Sequence, residues 1–350
     1  MALTPKESIV FATHQVYEET AKALFPQTGV SILAVQGGCS TTFLLNGSDE
    51  ESQWKTPDRI VQFREPKFGL NLDISAAAQR TYERYAPCTK QLSTAHDDKS
   101  SHVLIYEMDV IPGISYNLVV PTLPHLTSSE RSRQMRLVED FADFVSRAWP
   151  DQSSEKLRCN GKVGSQISCK LERLAKELPS ANLRAIAQRA IDGIGALDLL
   201  PVVLNHGDVN PSNMMVDSDS GALNGLVDWA EAEYLPFGIC LYGVEYLFGF
   251  LPVQDKRDSL VETRRFQYYT CSKELRCLFW HRLRTKTPAL DHDERLLKAV
   301  VLSKSIGTLL WNGFAWDDGA IDRVVNNKDD SQEMAYLECF LCHDLDEAAS

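Results

Sequence analysis

The chain has 350 residues, which exceeds the size at which a single hydrophobic core usually stops growing, so two domains or lobes are expected. Apolar residues make up 44% and charged residues 24% of the chain, which is ordinary for a globular protein. The formal net charge is -12, and this excess of acid argues against nucleic acid or an anionic membrane as a partner, since both favour a basic surface.

Targeting and membrane signals are not evident in the sequence. The first segment, MALTPKESIVFATHQ, lacks the charged region and continuous apolar run that a secretory signal requires. The most apolar segment, YLPFGICLYGVEYLFGFLPV, contains Glu245 and is interrupted by Gly and Pro. The nine cysteines form an odd set, typical of small buried side chains in a reducing compartment. We therefore expect a soluble, cytoplasmic protein.

The first hundred residues are rich in strand signals. The predicted elements are an amphipathic helix (7–24), two apolar runs around a Gly-Gly turn (30–46), a half-buried strand RIVQFRE (59–65), a helix (72–85) and a strand that ends at a Pro-Gly turn (101–116). Together they predict a small, β-rich lobe built on a sheet.

The remainder of the chain is mainly helical. Helices are predicted at 128–149, 168–178 and 182–194, and more follow a short β-loop-β segment at 202–229. The sequence thus predicts an α+β protein with a β-rich lobe (1–105), a hinge (106–116) and a large helical lobe (117–350).

The β-loop-β segment contains LNHGDVNPSNMMVD (204–217), where polar side chains interrupt two apolar runs. Asp208 and Asn213 come just before the strand NMMVD, and Asp228 ends the next strand, LNGLVDW. Antiparallel pairing would bring all three side chains to one edge. Carboxylate and amide oxygens suit Mg²⁺ better than zinc or copper. The alternative is a solvated turn in which these side chains cap local backbone groups.

The spacing of this segment is characteristic of kinase-fold enzymes. They share the pattern H-x-D-x-x-x-x-N followed by a metal-binding Asp beyond a short hairpin. With HGDVNPSN followed by LVDW (226–229), which contains Asp228, the sequence resembles the aminoglycoside phosphotransferase and choline kinase-like superfamily. The resemblance covers most of the chain. The resemblance implies a protein-kinase-like bilobal fold and Mg-ATP-dependent transfer of a phosphoryl group to a hydroxyl or amine of a small molecule.

The resemblance also implies a role for each residue of the hairpin. Asp208 corresponds to the catalytic aspartate, which orients the acceptor and takes its proton. Asn213 and Asp228 correspond to the Mg²⁺ ligands. His206 corresponds to a histidine that holds the loop backbone, so its expected role is support.

The same resemblance assigns residues of the first lobe to ATP. QGGCSTTF (36–43) is expected to cover the phosphates through Gly37, Gly38, Ser40 and Thr41, and Arg64 is expected to pair with them. A plain hairpin turn and a surface arginine are the alternatives.

In LIYEMDVIPG the backbone of Glu107 and Met108 is expected to bind the adenine edge, unless this segment is an edge strand ending in a turn.

The sequence departs from the family pattern at two positions. The resemblance implies that a glutamate on the following helix pairs with Arg64, and no such glutamate is evident. The possible partners are Asp73, Gln79 and Glu83, with Glu83 preferred. Where relatives have an aspartate that braces the catalytic loop, this chain offers only Glu245. These departures leave open an alternative function, a catalytically weak or inactive kinase-fold protein that binds nucleotides or metabolites.

The acceptor is expected to be a small molecule that carries an amine or other cation. The carboxylates expected to wall its pocket are Glu231, Glu233, Glu245, Asp317, Asp318 and Asp322. In WNGFAWDDGAID (311–322), Trp311, Phe314 and Trp316 neighbour acids, and aromatic faces beside acids can hold an ammonium group. The alternative is a solvated helix end with its tryptophans in the core.

Overall fold

The computed structural model describes residues 5–46, 58–92, 103–150, 157–159, 161–252, 265–317 and 320–341, with side chains outside 5–13 and 316–322. The chain divides into two compact units, Met1–Ile111 and Pro112–Ser350. The boundary between them lies within the segment predicted as a hinge.

The first unit is built on an antiparallel sheet. Its helices and strands are α1 (Pro5–Leu24), β1 (Gly29–Ile32), β2 (Thr41–Asn46), β3 (Arg59–Arg64), α2 (Leu72–Tyr82), β4 (Thr89–Leu92) and β5 (Leu104–Asp109). Among the described residues the strands are arranged in the order β1-β2-β3-β5-β4. Alternation in β2 and β3 directs Phe43, Val61 and Phe63 into a buried cluster against α1.

Helix α2 begins and ends at recognisable signals. The side chain of Asn71 caps its N-terminus by accepting from the backbone N–H groups of Asp73 and Ile74. The helix ends at Tyr82, three residues earlier than predicted, because Glu83 adopts a left-handed backbone (φ 50°) and starts a 3-10 turn.

The second unit is mainly helical. Its elements are β6 (Ile114–Ser115), α3 (Ser128–Ser146), α4 (Gly161–Gly164), α5 (Ile167–Glu177), α6 (Ala181–Gly193), β7 (Val202–Asn205), β8 (Met214–Val216), β9 (Leu223–Leu226), β10 (Glu233–Pro236), β11 (Gly249–Phe250), β12 (Gln267–Tyr268), α7 (Ser272–Lys286), α8 (Ala289–His292), α9 (Glu294–Asn312), β13 (Phe314–Asp317), β14 (Ala320–Val324) and α10 (Ser331–Phe340). The α+β prediction, with a small β-rich part and a large helical part, is confirmed.

Two small sheets of the second unit position the β-loop-β segment predicted at 202–229. One contains β6, β8 and β9, and the other pairs β7 with β10. A buried 3-10 helix (Ile239–Leu247) follows β10 and packs on α9, where Gly307 allows close approach to the backbone of Ile239. Among the described residues, no helix combines the length and apolar character needed to cross a bilayer.

Candidate active site

The hairpin brings together Asp208, Asn213 and Asp228, the three oxygen-bearing side chains predicted to lie at one edge. Strands β8 and β9 pair with Met214 opposite Leu226, and the N–H of Val227 donates to the carbonyl of Asn213 at 2.9 Å. Asn213 therefore lies beside the end of β9, next to Asp228. Asp208 contacts Asn213 directly, and it is near enough to Asp228 for the two charges to interact.

The carboxylate of Asp208 is held by two amides. Its Oδ1 accepts from Asn210 Nδ2 and its Oδ2 accepts from Asn213 Nδ2, both at 2.8 Å. Asn213 Nδ2 also donates to the backbone carbonyl of Asp208 at 2.9 Å. These bonds orient the carboxylate before any ligand binds. The contact with Asn210 was not anticipated from the sequence, although the Asn-Pro-Ser turn that produces it is visible there.

The electrostatic surroundings of Asp208 disfavour its charge. Burial raises the pKa of the Asp208 carboxyl, and repulsion from Asp228 and Glu231 raises it further. The hydrogen bonds from Asn210 and Asn213 act in the opposite direction without cancelling the effect. A carboxylate with a raised pKa is a better proton acceptor than an ordinary surface aspartate.

His206 forms hydrogen bonds with the backbone at two points, Val227 and Asp208. Its buried ring donates from Nε2 to the carbonyl of Val227 at 2.9 Å, and its Nδ1 accepts the N–H of Asp208 at 3.2 Å. Because one ring nitrogen accepts, the imidazole is neutral. Burial agrees with this state, since it lowers the pKa of His206 to about 4. The ring thus ties the loop that contains Asp208 to the end of β9.

Gly207 is required by the backbone at this point. It has φ 81°, and a Cβ atom there would overlap the backbone carbonyl of Glu231. Only glycine meets both conditions without strain, which explains the small residue between His206 and Asp208.

The donor set at Asn213 and Asp228 fits a hard cation. Asn213 uses its Nδ2 group on Asp208, so its Oδ1 remains for another partner. Asp228 is exposed and adopts a left-handed backbone (φ 62°), an unusual conformation that clusters at functional sites. No group of three His, Cys, Asp or Glu side chains able to hold a metal occurs in the described part of the chain. One carboxylate and one amide oxygen, completed by water and phosphate oxygens, suit Mg²⁺.

The predicted phosphate loop lies between β1 and β2 in the first unit. Gly37 and Gly38 are exposed, and a Cβ atom at Gly38 would meet no atom within 4 Å. Ser40 and Thr41 are half-buried at the start of β2. The loop is closed by Gln36, whose side-chain amide bonds to the backbone of Thr42 in both directions. The fold of the loop does not itself require two glycines.

Arg64 ends β3 and is 4% exposed. Its Nε donates to Gln62 Oε1 at 3.1 Å, and its Nη1 lies 3.4 Å from the carbonyl oxygen of Phe68. The alternative of an ordinary surface arginine is therefore wrong. Glu83 is exposed at the end of α2, and the pairing proposed for it stays a prediction.

Glu107 and Met108 lie in strand β5, inside the sheet of the first unit. Strand β5 is flanked by β3 and β4, and Glu107 is paired with Val61 on one side and Lys90 on the other. The side chain of Glu107 forms an ion pair with Arg59 (2.5 Å). Because the backbone groups here face neighbouring strands, this pairing argues against the predicted contact of Glu107 and Met108 with an adenine edge.

Two of the carboxylates expected around the acceptor serve internal contacts. Glu233 accepts the N–H groups of Lys162, Val163 and Gly164, and so caps the short helix α4. Glu245 is fully buried, with Lys304 Nζ at 2.6 Å. The expectation that these two acids face the acceptor is wrong, because both already have buried partners.

Two of the aromatic side chains predicted at 311–322 to hold an ammonium group also form contacts within the protein. Trp311 stacks on Tyr242 (ring centroids 5.5 Å apart), and Lys170 Nζ lies 4.3 Å from the ring centroid of Phe314. These two rings are therefore committed to packing and to an internal cation. Beyond them, the side chains of Trp316, Asp317, Asp318 and Asp322 lie outside the described residues.

The segment that contains these residues matches a known protein family. The family model of the phosphotransferase enzyme family matches residues 167–239, which include the whole loop and Asp228. The resemblance inferred from HGDVNPSN and LVDW is thereby confirmed. A search among curated proteins gave no match.

Several solved structures are similar to the chain at low sequence identity. A choline/ethanolamine kinase family protein from Mesorhizobium loti has a TM-score of 0.52 and 15% identity, covering 96% of this chain and 95% of its own. An ethanolamine kinase from Plasmodium vivax has a TM-score of 0.45 and 10% identity, covering 99% of this chain and 89% of its own. An aminoglycoside phosphotransferase from Streptomyces rimosus, solved with ADP and streptomycin, has a TM-score of 0.43 and 13% identity, covering 83% and 98%.

The first of these comparisons confirms the predicted protein-kinase-like fold. The family match and the fold together support a phosphotransferase.

Proposed function

We propose that the protein transfers the γ-phosphoryl group of Mg-ATP to a hydroxyl or amine of a small molecule. The observation that carries the proposal is the Asp208 carboxylate, which Asn210 and Asn213 orient at 2.8 Å beside a second acid, Asp228. These residues lie within the segment matched by the phosphotransferase family model. A solvated turn would not bury and orient a carboxylate in this way.

Asp208 orients the acceptor and removes its proton. Each oxygen of the carboxylate accepts one amide hydrogen bond, which leaves lone pairs free to bind the O–H or N–H group of the substrate that receives the phosphoryl group. The raised pKa of Asp208 brings its basicity closer to that of the developing alkoxide or amine, which favours proton transfer. Positioning of the nucleophile is the main contribution, because phosphoryl transfer requires little covalent chemistry from the protein.

Asn213 Oδ1 and the Asp228 carboxylate would hold Mg²⁺. When bound, the ion neutralises charge on the phosphates and orients them. The chain itself supports this arrangement, since Asp228 and Glu231 both repel the Asp208 carboxylate. A cation at this edge would relieve that repulsion.

Residues of the first unit would hold the nucleotide phosphates. Gly37 and Gly38 are exposed and uncrowded, so their backbone N–H groups can approach an anion closely. Ser40 and Thr41 supply hydroxyl donors, and Arg64 supplies a guanidinium whose planar fork matches phosphate oxygens.

A cationic acceptor remains the preferred substrate class. The aromatic part of the predicted cradle is engaged elsewhere, so the preference now rests on the negative potential that Asp228 and Glu231 create around Asp208. Amine-bearing alcohols should therefore react with higher kcat/KM than neutral alcohols of the same shape.

The proposal is tested by measuring ADP release from Mg-ATP across a panel of small alcohols and amines, alongside thermal stabilisation by Mg-ATP. The expected result is acceptor-dependent ADP release together with stabilisation. Stabilisation by Mg-ATP without ADP release for any acceptor or for water would instead identify a nucleotide-binding protein that does not turn over.

A further inference from the structure

The side chain of Tyr242, in the 3-10 helix Ile239–Leu247, contacts the catalytic loop. Its hydroxyl oxygen accepts the N–H of Val209 at 2.9 Å and donates to the carbonyl of Gly207 at 3.3 Å. These two backbone groups flank Asp208 on either side. All the atoms concerned are buried, since Tyr242 is 2% and Val209 is 0% exposed.

We propose that Tyr242 is a positioning residue, whose single hydroxyl fixes the backbone on both sides of Asp208 and so sets the direction of the catalytic carboxylate. The inference rests on the proposed function of Asp208. It also assigns the bracing of the loop to a residue other than Glu245, the one acid that the sequence offers near this position. Glu245 points to Lys304 and Arg276 instead.

A phenol suits this position because the two loop groups have opposite requirements. The N–H of Val209 needs an acceptor, whereas the carbonyl of Gly207 needs a donor. An ionised carboxylate could satisfy only the first. Burial raises the pKa of Tyr242 well above its ordinary value, so the hydroxyl keeps the proton that it donates to Gly207.

Tyr242 is itself held rigidly. Its ring stacks on Trp311 of α9 with an interplanar angle of 17°. The next residue, Gly243, lies where a side chain would collide with Val209, so the 3-10 helix can approach the loop closely. Further along the same helix, Glu245 is anchored by two buried cations. The Tyr242 hydroxyl is therefore held rigidly by its surroundings, so it can fix the position of the loop backbone that it contacts.

Tyr242→Phe removes the hydroxyl and keeps the ring against Trp311. We expect kcat to fall by about 10-fold to 100-fold while KM for ATP changes by less than about 3-fold, because misplacing a catalytic group affects the chemical step more than ground-state binding. We also expect the Val209 amide to lose protection against hydrogen exchange, because its buried acceptor is gone.

Tyr246→Phe is the matched control. It removes a buried hydroxyl from the same 3-10 helix, and that hydroxyl donates its hydrogen bond to Asn312 Oδ1 of α9 at 3.3 Å. Both variants are assayed at a temperature where circular dichroism shows them folded. A loss of kcat and Val209 protection in Tyr242→Phe but not in Tyr246→Phe supports the proposal.

Wild-type kcat and protection in Tyr242→Phe would overturn it, as would equal losses in both variants. If the wild-type protein shows no turnover, the proposed function fails. The exchange measurement then still decides whether Tyr242 fixes the loop.

Discussion

The buried imidazole of His206 predicts an acid-sensitive step in the stability of the second unit. The ring is 0% exposed and neutral, with Nε2 donating to Val227 and Nδ1 accepting from Asp208. Burial lowers its pKa to about 4, despite the opposing effects of the Val227 carbonyl and the Asp228 charge. In the unfolded chain a histidine has a pKa of about 6.5.

The sign and size of the effect follow from linkage. Between pH 6.5 and about 4 the unfolded state binds a proton at His206 that the folded state does not bind. The stabilisation is therefore complete above pH 6.5 and declines as pH falls towards the folded-state pKa. The pKa of His206 falls from 6.5 in the unfolded chain to about 4 in the folded protein. At about 1.4 kcal/mol per pKa unit, this difference contributes about 3 kcal/mol to the free energy of unfolding.

Urea unfolding, followed by circular dichroism from about pH 7.5 to about pH 4.5, measures this loss. His206→Gln keeps a donor for Val227 but cannot titrate, so its free energy of unfolding should decline less steeply with acid than that of the wild type. His281→Gln, which removes an exposed imidazole from α7, is the matched control. Parallel pH profiles for wild type and His206→Gln would refute the assignment of a buried neutral ring.

Two further predictions concern the metal site and the buried charge cluster. Asp228→Asn should shift the Mg²⁺ midpoint for ATP binding further than Asn213→Ala does, because it removes a full charge from the surroundings of the ion. Titration of Mg²⁺ at fixed ATP measures this shift. Equal midpoints for both variants and the wild type would remove Asp228 from the site. Glu245→Gln should lower the free energy of unfolding by about 3–5 kcal/mol, since it leaves two buried cations without their counter-charge. Glu274→Gln, which breaks an exposed ion pair on α7, should change it by less than about 1 kcal/mol, and similar losses in the two variants would contradict the role given to burial.

The hairpin could be predicted because its information is local. The apolar runs on either side of HGDVNPSN define strands, and a short antiparallel connection brings Asn213 and Asp228 to one edge. Asn210 belongs to the same local set, because the turn that carries Asn213 also returns its amide to Asp208. Its contact depends on side-chain direction, which spacing alone does not specify.

Contacts between distant segments could not be read in this way. Tyr242 reaches Val209 across 33 residues, and Glu245 meets cations on α7 and α9. Nothing in the local pattern distinguishes an acid that faces a ligand from one that neutralises a buried lysine. Glu233 illustrates the same limit, since the helix that it caps lies 69–71 residues earlier in the chain.

The account depends most directly on Asp208. The decisive measurement is the single-turnover transfer of labelled γ-phosphoryl from Mg-ATP to an acceptor, or to water, by wild type, Asp208→Asn and Asp219→Asn. Asp219 is an exposed carboxylate in the turn of the same hairpin, so its variant controls for the loss of a nearby charge. We predict that Asp208→Asn slows transfer by about 10²-fold to 10⁴-fold while Mg-ATP binding persists, and that Asp219→Asn matches the wild type. Transfer by folded Asp208→Asn at the wild-type rate would contradict the central claim.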